Sequence, residues 1–521
     1  MTECVEVRSG SCISRRALLL FCAAAFVFQF AIWNGRIGNV DSYHQLVETV
    51  QTIDSGHLGI DDQRFKDVLV AVQASTNAGG PQSALLGAWA QGGDGRWYQV
   101  HDPGNKVLMM PAVIVSRLLG QQPSSRLDPS AATKVLVSGS FALLGVFLAL
   151  FLALGLAIVM PAQRALRWAA LGVVATILLP YAKQTWDVFP SAVLIAGVAW
   201  VSLRRFTVGN TRLRSTVLLF ALASGACWFR FSLTVFVLLG CCTVECLVGC
   251  PPRTAARARE IGVRLAVGVS TFGLLLLPVL LVNHRVTGQF WAPPLSKDDV
   301  NTLWAVNPLS GIVDQLFSPN RGLVWFSPVL VLVAVALWRW RAAPAPIRKY
   351  MLAWLFPIGG YLFALGSLRN EGGGWGPRYL LPFVPIMWIP VAMVGIRWLD
   401  SSRRARVATF ALVGLSIVLA ALPTLTNWNA VSSQSAGIID ADAMYPRQIV
   451  ETASFVGREV PDTGDVDDGG TNSHQWPDLA TLYATRRAGL PDAVGYASFL
   501  ALLAVALALF RAADRQAIIR E

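Results

Sequence analysis

The chain has 521 residues, of which 54% are hydrophobic and only 14% are charged. Soluble globular proteins carry about 25% charged residues, so this composition excludes an ordinary soluble domain and indicates a polytopic membrane protein. The net charge of +12 is expected in the cytoplasmic loops of such a protein, so it does not indicate binding to nucleic acid.

The first apolar segment covers residues 15–33 and begins with the basic pair Arg15 and Arg16. It resembles a signal peptide, but it is longer than a typical apolar signal core and no small-residue cleavage site follows it. We therefore predict an uncleaved first membrane-spanning helix.

The next stretch, VDSYHQLVETV, contains a lone acid, Asp41. Apolar residues at helical spacing predict a helix here, and Ser42 with Gln45 forms the pattern of a capping box. Asp41 is then either an acid that is favoured by the dipole at the start of a helix or a group available for chemistry. Because Ser42 and Gln45 satisfy the cap, we interpret Asp41 as available for chemistry.

The end of the first long loop carries His101 and Asp102 ahead of the turn sequence PGNK. These two side chains either shape the turn or contact a sugar. A metal at this pair is not supported, because no further candidate ligands cluster with them in the sequence. The following segment, 105–119, is apolar but short and contains Pro111, so we predict a re-entrant or interfacial helix.

Twelve segments are apolar enough to span a membrane, although several are shorter than the ~20 residues that a full span needs. Their approximate bounds are 15–33, 132–159, 168–181, 188–203, 214–229, 231–249, 262–283, 322–340, 349–366, 379–396, 406–424 and 494–511. The predicted fold class is therefore an all-α polytopic membrane protein of about twelve transmembrane helices, with amphipathic helices in the first long loop.

The positive-inside rule sets the orientation. Arg-rich connections alternate with the others when both termini are cytoplasmic, which makes 34–131, 182–187, 284–321, 367–378 and 425–493 outer loops. The chain then divides into a transmembrane module (1–424), an acidic outer loop (425–493) and a last helix with a basic cytoplasmic tail (494–521). Within the outer loop, DTGDVDDGGTNS is predicted to be mobile, and its Ca²⁺-ligand pattern is incomplete.

The eight cysteines lie outside the long polar loops, which is not the pattern of a disulfide framework. Cys242, Cys246 and Cys250 follow one another at intervals of four, a spacing that could hold a metal. They are embedded in an apolar run, so we predict that they pack against neighbouring helices. No cofactor is predicted.

Three arginines, Arg230, Arg321 and Arg378, lie on the predicted outer side, against the charge rule. Arginine near hydrocarbon is costly and tends to be paired or functional, and a guanidinium binds phosphate oxygens in bidentate fashion. A lipid phosphate is therefore a natural partner, although these side chains could instead extend to lipid headgroups.

Two further outer stretches carry candidates. Lys183 and Asp187 are four residues apart and could pair on one helix face. Trp375 and Tyr379 flank Arg378, where aromatic residues either belong to the interfacial belt or stack on a sugar.

Five motifs together, VDSYH, DGRWYQVHDPGNKVLMMP, LPYAKQTW, FSPNRGLVWFSP and WGPRYLLPFVP, resemble the integral-membrane GT-C glycosyltransferases. The likeness is to bacterial members of the RgtA/B/C/D-like and protein-mannosyltransferase-like group, over residues 15–400. It implies an active site at the outer face of the cytoplasmic (inner) membrane, a polyprenyl-phosphate sugar donor and inversion at the anomeric carbon. The acceptor would be an envelope glycan, lipid or protein.

In this family an acidic residue of the first outer loop acts as general base, and Asp41 matches that position. The resemblance also places Lys183 towards the carrier phosphate. Protein mannosyltransferases commonly carry an acidic pair where this chain has Asp41 followed by Ser42, which leaves a protein acceptor and a bound metal open.

Two other functions are considered. A transporter or flippase would carry ionisable residues at the membrane midplane, for which Glu245 and then Arg230 are the candidates. An O-antigen-ligase-like protein would use a large outer loop, usually rich in arginine, whereas the loop 425–493 is acidic. The scarcity of midplane acids and the absence of a visible repeat favour the transferase.

Overall fold

A computed structural model describes most of the chain. The described residues are 13–37, 40–66, 89–123, 129–209, 211–248, 254–292, 307–319, 321–367, 375–426, 447–458 and 477–518. The stretch 462–473, predicted to be a mobile acidic loop, lies outside them, and so does Cys250.

Besides the helical residues 62–66, the first half of the chain contains seven α-helices and one hairpin among its described residues. They are α1 (Arg15–Ile32), α2 (Val40–Ser55), β1 (Trp89–Gln91), β2 (Trp97–Gln99), α3 (Gly104–Leu118), α4 (Ala131–Leu156), α5 (Ala162–Val174), α6 (Leu178–Ala182) and α7 (Val188–Val208). The strands pair antiparallel, with Ala90 opposite Tyr98. The sequence analysis did not predict this hairpin.

The second half has only helical elements among its described residues. Its α-helices are α8 (Leu213–Phe229), α9 (Thr234–Leu247), α10 (Ala255–Thr287), α11 (Pro308–Phe317), α12 (Leu323–Phe326), α13 (Leu332–Trp338), α14 (Ala345–Gly366), α15 (Val384–Leu399), α16 (Arg403–Leu425), α17 (Arg447–Ser454), α18 (Ala480–Arg487) and α19 (Asp492–Ile518). Short 3₁₀ turns cover Phe231–Leu233, Pro328–Val331, Trp340–Ala342 and Arg378–Phe383.

The predicted fold class is confirmed: the protein is an all-α polytopic membrane protein. By length and composition, seven described helices can cross a membrane, namely Arg15–Ile32, Ala131–Leu156, Val188–Val208, Ala255–Thr287, Arg378–Leu399, Arg403–Leu425 and Asp492–Ala517. The apolar helices Leu213–Phe229, Phe231–Leu247 and Pro328–Trp338 are shorter. Two segments that were predicted as single spans, 168–181 and 322–340, are broken into shorter helices.

The two broken segments face one another, and hydroxyl groups satisfy the backbone groups that each break frees. The N–H of Ile177, between α5 and α6, donates to Ser327 Oγ at 2.9 Å. The N–H of Val329 donates to Ser416 Oγ, also at 2.9 Å. An interrupted helix is tolerated in a membrane where neighbouring side chains satisfy its polar groups.

Helices α5 and α15 cross closely because tryptophans pack against glycines. A Cβ on Gly172 would lie 2.6 Å from the ring of Trp388, and a Cβ on Gly395 would lie 2.1 Å from the ring of Trp168. Trp388 Nε1 also donates to the carbonyl of Trp168 at 2.8 Å. Small residues that let backbones approach are a common basis of helix packing in membranes.

The first loop has a small apolar core of its own. Helix α2, the hairpin and α3 enclose buried side chains that include Leu46, Val50, Phe65 and Met109, and Phe141 of α4 closes this core. Helix α3 has 15 residues and leaves apolar side chains exposed on its other face. It is shorter than a full span. The loop therefore holds α2 and the start of α3 against the end of the transmembrane bundle.

Candidate active site

One cavity collects polar residues from five separate stretches of the chain. It encloses about 240 Å³ of space, which is partly open to solvent, and is lined by Asp41, Ser42, Gln45, His101, Asn105, Trp186, Asp187, Arg230 and Arg378. These residues come from α2, the start of α3, the turn before α7, the turn after α8 and the 3₁₀ turn before α15. Four of the nine were predicted as site residues: Asp41, His101, Arg230 and Arg378.

Asp41 pairs with His101 at the mouth of this cavity. The Oδ1 atom of Asp41 lies 3.3 Å from Nε2 of His101, and the Asp41 side chain is 37% exposed. Burial alone would raise the pKa of Asp41. The charge of His101, its hydrogen bond to the carboxylate and the charge of Arg378 instead hold that pKa well below its ordinary value. Burial likewise opposes charge on His101, but Asp41 raises the pKa of the imidazole. The pair therefore favours a carboxylate beside an imidazolium.

The predicted capping box is wrong. Helix α2 begins at Val40, so Ser42 lies inside its first turn and does not precede it. Ser42 Oγ instead donates to the carbonyl of Thr185 at 2.8 Å, across to the turn before α7. Asn105 Nδ2 donates to the same carbonyl at 3.1 Å and to Gln45 Oε1 at 2.9 Å. The residue expected to cap the helix therefore fastens it to another wall of the cavity.

Arg378 is buried and comes from the later part of the chain, at the start of the 3₁₀ turn that leads into α15. Its guanidinium carbon lies 4.6 Å from the ring centre of Trp186 and 4.8 Å from that of Tyr379. Nη2 also donates to the hydroxyl of Tyr379 at 3.0 Å. Contacts with aromatic faces attract and orient a guanidinium, so both rings fix the direction of the Arg378 side chain.

Arg230 joins Arg378 on the same aromatic ring and pairs with an acid. Its guanidinium carbon lies 4.1 Å from the ring centre of Tyr379, and Nη1 lies 3.2 Å from Asp187 Oδ2. A pairing of Asp187 with Lys183 was one alternative from the sequence, and the structure places Asp187 with Arg230 instead. The charged side chains of the lining are thus two arginines, one histidine and two aspartates. Their net charge is positive when His101 is protonated.

Asp102 lies beneath the turn that carries Arg230. Its Oδ2 accepts a hydrogen bond from the N–H of Phe231 at 2.9 Å. Burial raises the pKa of Asp102 to about 6, although that hydrogen bond and the charge of Arg230 lower it. Asp102, predicted to bind substrate, does not line the cavity and supports one of its walls.

Lys183 and Arg321, both predicted to bind phosphate, do not line the cavity. Lys183 is fully buried and donates to Asp478 Oδ2 at 2.8 Å and to the carbonyl of Thr424 at 2.6 Å. Arg321 forms an ion pair with Asp314. The structure gives each of these cations a carboxylate from this chain.

Trp375 and Tyr379 were predicted to contact a sugar. Trp375 is buried, with its backbone N–H donating to the Tyr181 hydroxyl at 2.8 Å and its ring against Phe326. It does not line the cavity. Tyr379 does not line the cavity either, but it contacts the two arginines that do.

Sequence reasoning missed Gln45, Asn105 and Trp186 as lining residues, and Asp187 as the partner of Arg230. The sequence carries no spacing signal for them, because the contacts join stretches that lie dozens of residues apart. It also gave no sign of His44, whose buried ring lies 5.7 Å from that of Trp89. Burial lowers the pKa of His44 to about 4.

A metal site is not evident in the part of the chain that the structure describes, where no group of three or more His, Cys, Asp or Glu side chains is placed to hold an ion. Chemically, the cavity combines the Asp41 carboxylate with two guanidinium groups, of which Arg230 is paired with Asp187. It is suited to hold an anion beside a group that can accept a proton.

No protein-family model and no curated protein matches the chain. Among solved structures, ArnT from Cupriavidus metallidurans bound to undecaprenyl phosphate is similar at 15% identity and a TM-score of 0.45, over 96% of this chain and 77% of that one. The oligosaccharyltransferase AglB of Archaeoglobus fulgidus, in complex with an inhibitory peptide and a dolichol-phosphate, is also similar. Its sequence identity is 12% and the TM-score is 0.45, over 82% of this chain and 60% of that one.

Proposed function

We propose that the protein is a membrane glycosyltransferase of the GT-C type. It moves a sugar from a polyprenyl-phosphate carrier to a hydroxyl group of an envelope acceptor, at the outer face of the cytoplasmic membrane. The acceptor is a glycan, a lipid or a protein. The proposal is supported by the sequence motifs and by the chemistry of the cavity.

One observation carries the proposal: the Asp41 carboxylate shares a cavity with the guanidinium groups of Arg230 and Arg378. Transfer from a phosphate carrier to a hydroxyl needs a proton acceptor at one end of the reacting atoms and positive charge at the other. A cavity with both features suits this reaction better than binding of a neutral solute.

In the proposed reaction, the acceptor hydroxyl attacks the anomeric carbon from the face opposite the phosphate. A new C–O bond forms, the bond between the anomeric carbon and the phosphate oxygen breaks, and the configuration inverts. Asp41 takes the hydroxyl proton. The polyprenyl phosphate leaves with the electron pair, and Arg378 and Arg230 stabilise its added negative charge.

The low pKa of Asp41 determines when the proton moves. A carboxylate held well below its ordinary pKa is ionised throughout the neutral range, but it is a weak base towards an ordinary alcohol. The hydroxyl becomes acidic only as its oxygen bonds to the anomeric carbon, so Asp41 accepts the proton late in the step. His101 acts as a positioning residue that holds one oxygen of Asp41.

The transporter or flippase alternative rested on Glu245, and the contacts of that residue do not favour it. Glu245 Oε2 lies 2.6 Å from Arg205 Nη2 and 3.2 Å from Arg264 Nε, and all three side chains are buried. A carboxylate held by two arginines from α7 and α10 joins three helices. Its charge is already compensated by these two arginines.

The first test measures binding and transfer separately. Protein in nanodiscs is titrated with undecaprenyl phosphate, and protein in liposomes is given a panel of labelled polyprenyl-phosphate sugars with envelope glycans, lipids and peptides. We expect wild-type protein to bind the lipid phosphate, Arg378→Ala to lose that binding, and Asp41→Asn to bind but not transfer. Solute flux with no lipid-phosphate binding and no transfer from any donor would reject the proposal.

A further inference from the structure

We propose that Gln448 and Asp478, from the late acidic loop (425–493), are positioning residues for the cavity. Gln448 holds the stretch that carries Arg378, and Asp478 holds the turn that carries Trp186 and Asp187. This inference rests on the proposed function. Among its described residues, the loop supplies none that lines the cavity, so its effect on chemistry passes through the walls.

Gln448 supports the turn immediately before Arg378. Its Oε1 atom accepts a hydrogen bond from the N–H of Gly376 at 3.1 Å, and the side chain is 5% exposed. The Gly376 carbonyl in turn accepts the N–H of Arg378 at 2.9 Å. Two successive hydrogen bonds therefore connect Gln448 to Gly376 and Gly376 to the backbone of Arg378.

The turn before Arg378 depends on a glycine at position 376. Gly376 has a φ of +61°, and a Cβ there would lie 2.8 Å from the ring of Phe326. Only glycine adopts this conformation without strain and fits the space. A peptide with that freedom needs an external contact to fix its orientation, and Gln448 supplies one. Without it, the buried N–H of Gly376 loses the acceptor that holds the turn.

Asp478 supports the second wall. Its fully buried carboxylate lies 2.8 Å from Lys183 Nζ and 2.8 Å from Arg36 Nη2. Burial would raise the pKa of Asp478, but Lys183 and Arg36 hold it well below its ordinary value, so it stays ionised. The backbone N–H of Asp478 donates to the carbonyl of Leu425 at 2.8 Å, which ties the residue to the end of α16.

Lys183 connects Asp478 to the cavity. It lies two residues before Thr185, whose carbonyl accepts the hydrogen bonds of Ser42 and Asn105. A shift of Lys183 therefore moves the carbonyl to which α2 and α3 are fastened, together with Trp186 and Asp187. Asp478 positions the wall opposite Asp41 through this short chain of contacts.

The experiment compares Gln448→Leu, Gln448→Glu and Asp478→Asn with Glu451→Gln, a control on α17 whose carboxylate pairs with Arg447 of the same helix. Each full-length variant in nanodiscs is titrated with undecaprenyl phosphate. Its melting temperature is then measured, together with kcat and the KM values for the donor and the acceptor that the wild type uses in the panel described above. Gln448→Leu keeps the size of the side chain but removes the acceptor, whereas Gln448→Glu keeps an acceptor at the same reach.

We expect Gln448→Leu to weaken lipid-phosphate binding by about threefold to tenfold, the range expected for one buried hydrogen bond. Donor KM should rise by a similar factor while acceptor KM and melting temperature change little. Gln448→Glu should restore most of the affinity. Asp478→Asn should lower both affinity and melting temperature, and Glu451→Gln should match the wild type.

Three outcomes would overturn the inference. Equal affinity of wild type, Gln448→Leu and Asp478→Asn would show that the loop does not position the cavity, while leaving the proposed function intact. A loss of affinity that only follows a loss of folded protein, with no rescue by Gln448→Glu, would assign both residues to stability. No binding and no transfer by the wild type would reject the proposed function together with this inference.

Discussion

The guanidinium groups of Arg230 and Arg378 lie against the same aromatic ring, that of Tyr379. Their central carbons are 4.1 Å and 4.8 Å from the centre of this ring. Two like charges so close together repel each other unless the environment compensates them. Asp187 compensates Arg230, and the negative face of the Tyr379 ring attracts both cations. The ring therefore sets the spacing of the two groups proposed to bind a phosphate.

The first prediction concerns Tyr379. Tyr379→Phe keeps the ring and removes the hydroxyl that accepts from Arg378, so lipid-phosphate affinity should fall only about threefold. Tyr379→Ala removes the ring from under both arginines and should reduce affinity by about tenfold to thirtyfold, because two cation–π contacts of roughly 1 kcal/mol each are lost. Titration of both variants with undecaprenyl phosphate measures the difference. Equal losses in the two variants would contradict the role given to the ring.

The second prediction is a pH profile for His101→Gln. In the wild type, His101 holds the pKa of Asp41 well below its ordinary value, so the Asp41 carboxylate remains ionised as the pH falls. Without the imidazolium, Asp41 loses a charge that lowers its pKa, while burial still raises it. The pKa of Asp41 therefore rises. Acid protonates the base sooner, so the acid limb of the transfer rate should move to higher pH in the variant.

This profile has a matched control in the same loop. Asp61→Asn changes an exposed acid that pairs with Arg96 outside the cavity and should leave the profile of the wild type unchanged. An acid limb at the same pH in His101→Gln and wild type would mean that His101 does not control Asp41.

The third prediction concerns Asp102 and stability. Its folded pKa of about 6 lies above the ordinary value, so between these two values the folded state binds more protons than the unfolded state. Stability therefore falls as pH rises from about 4 to about 6, by at most roughly 2–3 kcal/mol. Asp102→Asn keeps an acceptor for the N–H of Phe231 and removes the titration. Its melting temperature should exceed that of the wild type increasingly over this range and then by a constant amount.

Melting curves in detergent at several pH values test this prediction. A difference between Asp102→Asn and wild type that does not change between pH 4 and pH 6 would show that Asp102 does not titrate there. The variant Asp62→Asn serves as a control, because Asp62 is an exposed acid that pairs with Lys66 on the surface.

The fourth prediction is an asymmetry between the partners of a buried ion pair. Among the described residues, Lys183 pairs with one carboxylate, whereas Asp478 pairs with both Lys183 and Arg36. Asp478→Ala leaves Lys183 buried with no carboxylate and should cost about 3–5 kcal/mol. Lys183→Met leaves Asp478 paired with Arg36 and should cost about 1–2 kcal/mol, since an apolar side chain replaces a buried charge. Chemical denaturation of both variants and of the double variant measures the coupling, and equal losses would contradict the assignment.

Hydropathy predicted the helical architecture because it depends on runs of neighbouring residues. All twelve predicted segments contain described helices, and the breaks at Ile177 and Ser327 escaped prediction since distant hydroxyl groups make them possible. For the cavity, Asp41 and Arg378 were found from their place beside predicted spans. Lys183 was predicted to bind phosphate from the family resemblance. Its partner in the structure, Asp478, lies 295 residues away, beyond the reach of any local sequence pattern.

That separation also has a consequence for the order in which the protein is made. Lys183 leaves the ribosome 295 residues before Asp478. At synthesis rates of about 5–20 residues per second, the interval lasts on the order of 15–60 s. During this time most of the transmembrane bundle has been synthesised, yet Lys183 still lacks the carboxylate that permits its burial. The cavity wall beyond Lys183 therefore reaches its final position only after translation of the late acidic loop, so an incomplete chain carries the reacting groups in an unfinished arrangement.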